Sequence, residues 1–86
     1  MATDVYYDLA LVNAELSQDE SAALAQVEQI GRAIHELGGA EVGIWEYRFE
    51  TFEAAQAGAS EIRRAGVVFE SLTIKAVDAS GKELKS

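Results

Sequence analysis

The chain has 86 residues, which is enough for one domain built around one hydrophobic core. It has no cysteine and one histidine, so the sequence excludes a disulfide framework and leaves a transition-metal site short of ligands. Fifteen acidic and seven basic residues give a net charge of -8, the wrong sign for binding a phosphate backbone.

The first predicted element is a strand over residues 4–13. Val5, Tyr7, Leu9 and Leu11 recur with a period of two, so we expect them on one face, towards the core. Tyr6 then lies on the opposite face, where it is a candidate for contact with a protein partner.

A helix is predicted over residues 18–38. Ser17 and Glu20 match a capping box, and Gly38 with Gly39 provides a left-handed stop. The apolar residues of its buried stripe are spaced by three and four; they are Leu24, Val27, Ile30, Gly31, Ile34 and Leu37.

Residues 41–50 contain no turn signal, so we predict one long strand with a bulge at Gly43. Trp45, Tyr47 and Phe49 share one face of this strand and are expected to pack under the helices.

A second helix over residues 52–65 has Thr51 as its expected N-cap. Its small residues, such as Ala55, Gly58 and Ala59, should allow a close approach to the sheet. A last strand is predicted over residues 68–77, and a polar, frayed tail over 79–86. Residues 1–78 are therefore expected to form a single domain.

The predicted order is strand, helix, strand, helix, strand. With both helices on one sheet face, this order indicates an α+β fold, a ferredoxin-like two-layer sandwich. A three-stranded sheet leaves an edge unpaired, so a homodimer formed through an edge strand is a working expectation.

No group of residues points to catalysis, so we expect a non-enzyme without catalytic, metal-binding or cofactor-binding residues. His35 falls near the edge of the helix stripe, and Ser17 and Thr51 occupy capping positions. No glycine motif for holding a phosphate is present.

The distribution of charge is the most specific signal. Residues 1–43 carry eight acids and one base, whereas residues 44–86 carry seven acids and six bases. A negative helix face can steer association with a basic surface. We therefore predict a small non-catalytic binding module, of the inhibitor, immunity or nucleic-acid-mimic type, that binds a basic protein partner. The candidate partner-binding residues are Asp19, Glu20, Glu28, Glu36 and Tyr6.

Two stretches resemble known families. The first resemblance is to the sixth protein of the bacterial small ribosomal subunit. It covers residues 7–45, with Leu16-Ser17, Gly38-Gly39 and Trp45, and the two short stretches 61–64 and 72–75. That resemblance implies a ferredoxin-like fold and assembly on RNA beside a protein partner. Residues 45–66 are similar to a strand and helix of acidic regulators of ribonuclease E, which inhibit by binding.

Two alternative functions follow. An RNA-assembly protein would use Arg48, Arg63 or Arg64, although the net charge makes us expect no direct nucleic-acid binding. A dimeric ferredoxin-like small-molecule binder or enzyme would have a pocket near Tyr7, His35 and Trp45. No apolar stretch reaches the roughly 18 residues of a membrane span, so we expect a cytoplasmic protein that makes no membrane contact.

Overall fold

The computed structural model describes residues 4–84, and within them it has two helices and a four-stranded antiparallel sheet. In chain order the elements are β1 (Tyr6–Val12), α1 (Glu20–Glu36), β2 (Ala40–Gly43), β3 (Glu46–Phe49), α2 (Phe52–Arg64) and β4 (Ser71–Val77). The strand order in the sheet is β2-β3-β1-β4. The prediction of an α+β fold is confirmed.

One core joins the sheet to both helices, as in a small two-layer sandwich. The alternation predicted for β1 is confirmed from Tyr7 onwards, because Leu9 and Leu11 are buried, whereas Val5 precedes the strand and is exposed. The buried residues of this core are Leu9, Leu11, Ile30, Ile34, Tyr47, Phe49, Ala55, Ala59, Ile62 and Val67.

The prediction that residues 41–50 form one strand is wrong. The chain turns at Ile44 and Trp45, and β2 pairs with β3 so that Gly43 lies opposite Glu46. Trp45 has a φ of 57°, the left-handed conformation for which hairpin turns normally use glycine or asparagine. Because positions 44 and 45 hold neither glycine nor asparagine, no turn signal is visible there. A register shift between Glu41 and Gly43 matches the expected bulge.

Helix α1 begins two residues later than predicted, because Asp19 rather than Ser17 is its N-cap. The backbone N–H of Ala22 donates to the Asp19 carboxylate at 2.9 Å. The Ser17 hydroxyl instead accepts from the Asp19 backbone N–H at 3.2 Å. At the other end Gly38 has a φ of 76°, so the predicted left-handed stop is confirmed.

The side chain of Gln26 ties the start of α1 to the end of α2. Its oxygen accepts from the Ser17 backbone N–H at 2.8 Å, and its amide donates to the Ala65 carbonyl at 3.1 Å. Both bonds are partly buried, so they fix where the two helices meet.

Helix α2 has the predicted Thr51 cap, whose hydroxyl accepts from the Ala54 backbone N–H at 3.1 Å. Its close approach to the sheet is also confirmed. A Cβ atom added at Gly58 would lie 2.7 Å from Cζ of the buried Phe49, and one added at Gly39 would lie 2.6 Å from Cε1 of the same ring. The Phe49 ring therefore fills a space that two glycines leave for it.

The C-terminal segment, expected to be frayed, folds back along β4 as far as Leu84. Val77 pairs with Glu83, and the Leu84 backbone N–H donates to the Ala76 carbonyl at 2.9 Å. The Asp78 carboxylate closes the turn by accepting from the Ser80 hydroxyl and from two backbone N–H groups. The hydroxyl of Ser80, followed by those amides, lowers the pKa of Asp78. Residues 85 and 86 of the predicted tail lie outside the described part.

Candidate protein-binding surface

Four of the five predicted contact residues lie at the start of α1 or along it, and all four are exposed. Asp19 is committed to capping the helix, whereas Glu20, Glu28 and Glu36 have carboxylates that face solvent. Within residues 4–84 the ion pairs join Arg48 to Asp8 and Arg64 to Glu61, so none of them involves an acid of α1. Arg32 lies on α1 four residues from both Glu28 and Glu36 and weakens their local potential without forming an ion pair. Residues 19–36 still carry four acids against this one base, so the helix keeps a negative potential that is available for contact.

Tyr6, the fifth predicted residue, is placed apart from the other four. It lies on the sheet face that points away from the helices, half-buried and opposite Val77 on β4. Because the sheet stands between them, Tyr6 and the acids of α1 do not form one surface.

The apolar stripe predicted for α1 is only partly covered. Ile30 and Ile34 are buried, but Leu24 is 61% exposed and Val27 is 51% exposed. The exposed residues lie in the first half of α1 and the buried ones in its second half. The stripe is therefore covered only towards the C-terminal end of the helix.

An open groove lies where the uncovered part of α1 faces the β2–β3 hairpin. It has a volume of about 270 Å³ and is lined by Val27, Ile30, Gly31, Glu41, Ile44, Trp45 and Tyr47. Most of these side chains are apolar, and Ile44 at the tip of the hairpin is 93% exposed. We call this feature the α1–hairpin groove. Trp45 is half-buried and packs against the core, as the sequence predicts, but the unpredicted turn also brings its side chain to the wall of this groove.

One acidic side chain lines the groove and another lies beside its α1 wall. Glu41 on β2 lines it directly. On α1, Glu28 lies three residues from the lining residue Gly31, a spacing that makes the two positions neighbours on a helix. Glu20 and Glu28 each also lie four residues from the exposed Leu24. Glu36 has no such relation to Leu24 or Val27. The predicted acids of α1 are therefore not equivalent, and only some of them lie beside exposed apolar residues.

Tyr47 forms part of the floor of the groove. Burial of the phenol raises the pKa of Tyr47, and the nearby Glu41 carboxylate adds to the rise. The folded state therefore holds the Tyr47 proton more tightly than the unfolded chain does.

This rise predicts a loss of stability in alkaline solution. The contribution is fully present below the ordinary tyrosine pKa of about 10 and is lost as the pH rises through the folded-state value. The urea midpoint of the wild type should fall more steeply above about pH 10 than that of Tyr47→Phe, which has no phenol proton there. Equal slopes for the two proteins would show that Tyr47 titrates as in the unfolded chain.

The sheet face away from the helices carries a partly buried ion pair that was not predicted from the sequence. The Arg48 guanidinium donates to both oxygens of Asp8, at 2.8 and 3.1 Å, and Asp8 is only 8% exposed. The hydrogen bond to Asp8 is the main cause of the raised pKa of Arg48. A signal existed in the alternation of β1, which places Asp8 opposite Arg48 once the strand pairing is known. This pair contributes to the fold rather than offering a free charge.

The structure also locates the residues that the two alternative functions would use. Of the three arginines expected to contact RNA, Arg48 and Arg64 are ion-paired and Arg63 is exposed. Of the three residues expected to form a pocket, Tyr7 packs edge-on against Phe52, His35 is exposed on α1, and Trp45 alone lines the groove. Neither predicted set forms a site.

No family model matches the sequence, and neither the curated proteins nor the solved structures give a significant match.

Neither of the described helices is long and apolar enough to cross a lipid bilayer. Among residues 4–84 no three histidine, aspartate or glutamate side chains are grouped as a metal ion would require.

Proposed function

We propose that the protein is a small non-catalytic binding module that recognises a basic surface of another protein through α1. Inhibitors, immunity proteins and nucleic-acid mimics are the functional class that fits this description. The single observation that supports it most strongly is the exposure of the α1 carboxylates, with no cation paired to them among residues 4–84. We place the module in the cytoplasm as part of the same proposal.

We also propose that the fold is ferredoxin-like. The element order β-α-β-β-α-β supports this assignment, because it is the order of the split βαβ arrangement. The fold does not indicate an activity, since such scaffolds carry many unrelated functions. A homodimer through an edge strand stays a prediction.

Exposed acids favour recognition for two electrostatic reasons. Opposite charges attract a partner before contact and increase the rate of association, and this attraction weakens as salt screens it. The same acids repel phosphate backbones, so they favour a basic protein over RNA as the partner. The halves of the chain differ in the same sense, with a net charge of -7 in residues 1–43.

The experiment compares two double charge reversals with the same net charge. Glu28→Lys with Glu36→Lys changes α1, and Glu70→Lys with Glu83→Lys changes exposed acids elsewhere. The probe is an oligolysine peptide, and its association rate and affinity are measured from about 0.05 to 0.5 M salt. The α1 variant should bind at least about tenfold more weakly at low salt and show a flatter salt dependence than the control variant.

Equal losses in the two variants would mean that oligolysine responds only to net charge. That result would end the proposal that α1 is the recognition surface.

A further inference from the structure

We propose that the α1–hairpin groove is a docking site for the apolar face of a basic amphipathic helix. The proposal rests on the proposed function and adds the chemistry of the partner: apolar side chains that enter the groove, flanked by lysine or arginine that meets its acidic borders. This is the helix-in-groove mode of peptide recognition.

The wall formed by α1 has the shape that such a helix needs. Val27 and Gly31 line the groove four residues apart, and the exposed Leu24 continues the same line of α1 three residues before Val27, about 10 Å from end to end. At Gly31 an added Cβ atom would meet nothing within 4 Å, so the glycine leaves open space on the side of the groove. A side chain of a partner can approach the α1 backbone there.

The opposite wall offers apolar area at the tip of the hairpin. Ile44 is almost fully exposed, and Trp45 lines the groove from the turn. Exposed apolar residues that adjoin one another mark interaction surfaces, whereas single ones do not. Aromatic side chains also contribute a large share of binding energy at protein interfaces. Together the two walls form a continuous apolar surface.

Charge decides which occupant is proposed. Glu41 lines the groove, Glu28 lies three residues from Gly31 on its α1 wall, and the whole chain has a net charge of -8. A second copy of the chain would bring the same acidic border to the contact, so like charges would face each other. A basic helix would instead pair its cations with these carboxylates at the exposed rim.

The size of the groove favours side chains over a small-molecule ligand. Its volume of about 270 Å³ falls below the roughly 300–1,000 Å³ of pockets that enclose such ligands. An open groove of this size accommodates a few apolar side chains of a helix that lies across it.

The test uses synthetic peptides of about 15 residues, long enough to form a helix on binding. The main probe combines leucine on one face with lysine on the other. One comparison peptide has serine in place of leucine, and a second has glutamate in place of lysine. Binding is followed by the fluorescence of Trp45, the single tryptophan of the chain. We expect the leucine–lysine peptide to bind and to shift the emission of Trp45 to shorter wavelength.

Variants of the groove locate the binding site. Gly31→Leu fills the groove and should weaken binding of the leucine–lysine peptide by at least about tenfold, and Gly31→Ala by less. Glu28→Lys should weaken binding more than Glu36→Lys, although both variants have the same net charge. Circular dichroism tests whether each variant is folded. If Gly31→Leu does not fold, Gly31→Ala provides the comparison of binding instead.

The outcomes separate this proposal from the proposed function. If the serine–lysine peptide binds as tightly as the leucine–lysine peptide and Gly31→Leu does not weaken binding, the proposal that the groove is a docking site is overturned. The proposal that α1 recognises a basic surface by charge then still stands. If no lysine peptide binds at low salt, both proposals fail. Equal binding of the leucine–glutamate peptide would overturn the basic partner. Self-association that shifts Trp45 emission and is lost in Gly31→Leu would assign the groove to a second copy instead.

Discussion

Replacing Phe49 with alanine should lower the free energy of unfolding by about 3–5 kcal/mol. Phe49 is the largest of the fully buried side chains, and its ring fits against the backbone at Gly39 and Gly58. Removing the ring loses the apolar contacts and leaves a cavity between β3 and both helices. Because a domain of this size has only about 5–15 kcal/mol of stability, a large share of it would be lost.

Urea denaturation followed by circular dichroism measures this loss. Phe52→Ala is the matched control, because Phe52 is 42% exposed and its ring meets Tyr7 edge-on. We expect a smaller cost for this variant, about 1–3 kcal/mol, from the partial burial and the aromatic contact together. Similar losses for the two variants would mean that Phe49 is not the centre of the core.

The second large effect is a difference in sign: replacing glycine with alanine should lower the stability at position 58 and raise it at position 31. Gly58→Ala and Gly31→Ala both improve the helix propensity by about 1 kcal/mol. At Gly58, however, the added methyl group would lie 2.7 Å from Phe49 Cζ, and overpacking of a core costs about 1–3 kcal/mol. We therefore expect Gly58→Ala to destabilise by up to about 2 kcal/mol, the balance of these two terms.

Gly31→Ala should instead stabilise the protein by about 0.5–1 kcal/mol, because its methyl group meets nothing within 4 Å. The midpoints of thermal and urea unfolding for the two variants give the comparison. If Gly58→Ala is as stabilising as Gly31→Ala, the close contact between α2 and Phe49 does not exist.

The sequence predicts the helices and the main strands well, because their signals are local. The alternation around Leu9 and Leu11 and the spacing of Ile30 and Ile34 each follow from one element's own periodicity. The cap at Thr51 is likewise visible in the residues beside it. Asp19 was missed because Ser17 offered a competing cap two residues earlier, and both side chains accept hydrogen bonds from backbone amides.

Features that depend on pairing between distant residues were not predicted. The turn at Ile44 and Trp45 places an aromatic residue in a left-handed conformation, which the hairpin imposes against local preference. The Asp8–Arg48 pair exists only through the register of β1 and β3. These errors matter for the candidate site, since the α1–hairpin groove exists only because the chain turns at residues 44 and 45.

The candidate site could be predicted only in part from the sequence. Composition identified α1 as acidic, and that identification needs no coordinates. Separating Glu28 from Glu36 required knowing which side of α1 the sheet leaves uncovered, and the exposure of Leu24 and Val27 shows it. Tyr6 was assigned to a partner from its strand face alone, and the structure places it behind the sheet.

The most direct test of the central claim is to map the contact surface by nuclear magnetic resonance, with ¹⁵N-labelled protein titrated by the leucine–lysine peptide. Binding through α1 and the groove predicts that the amide signals of Leu24, Val27, Gly31 and Ile44, together with the indole signal of Trp45, shift most. The signals of Tyr6 and Lys75 on the other sheet face should stay in place. Shifts concentrated at Tyr6 and Lys75, with α1 unchanged, would contradict the claim.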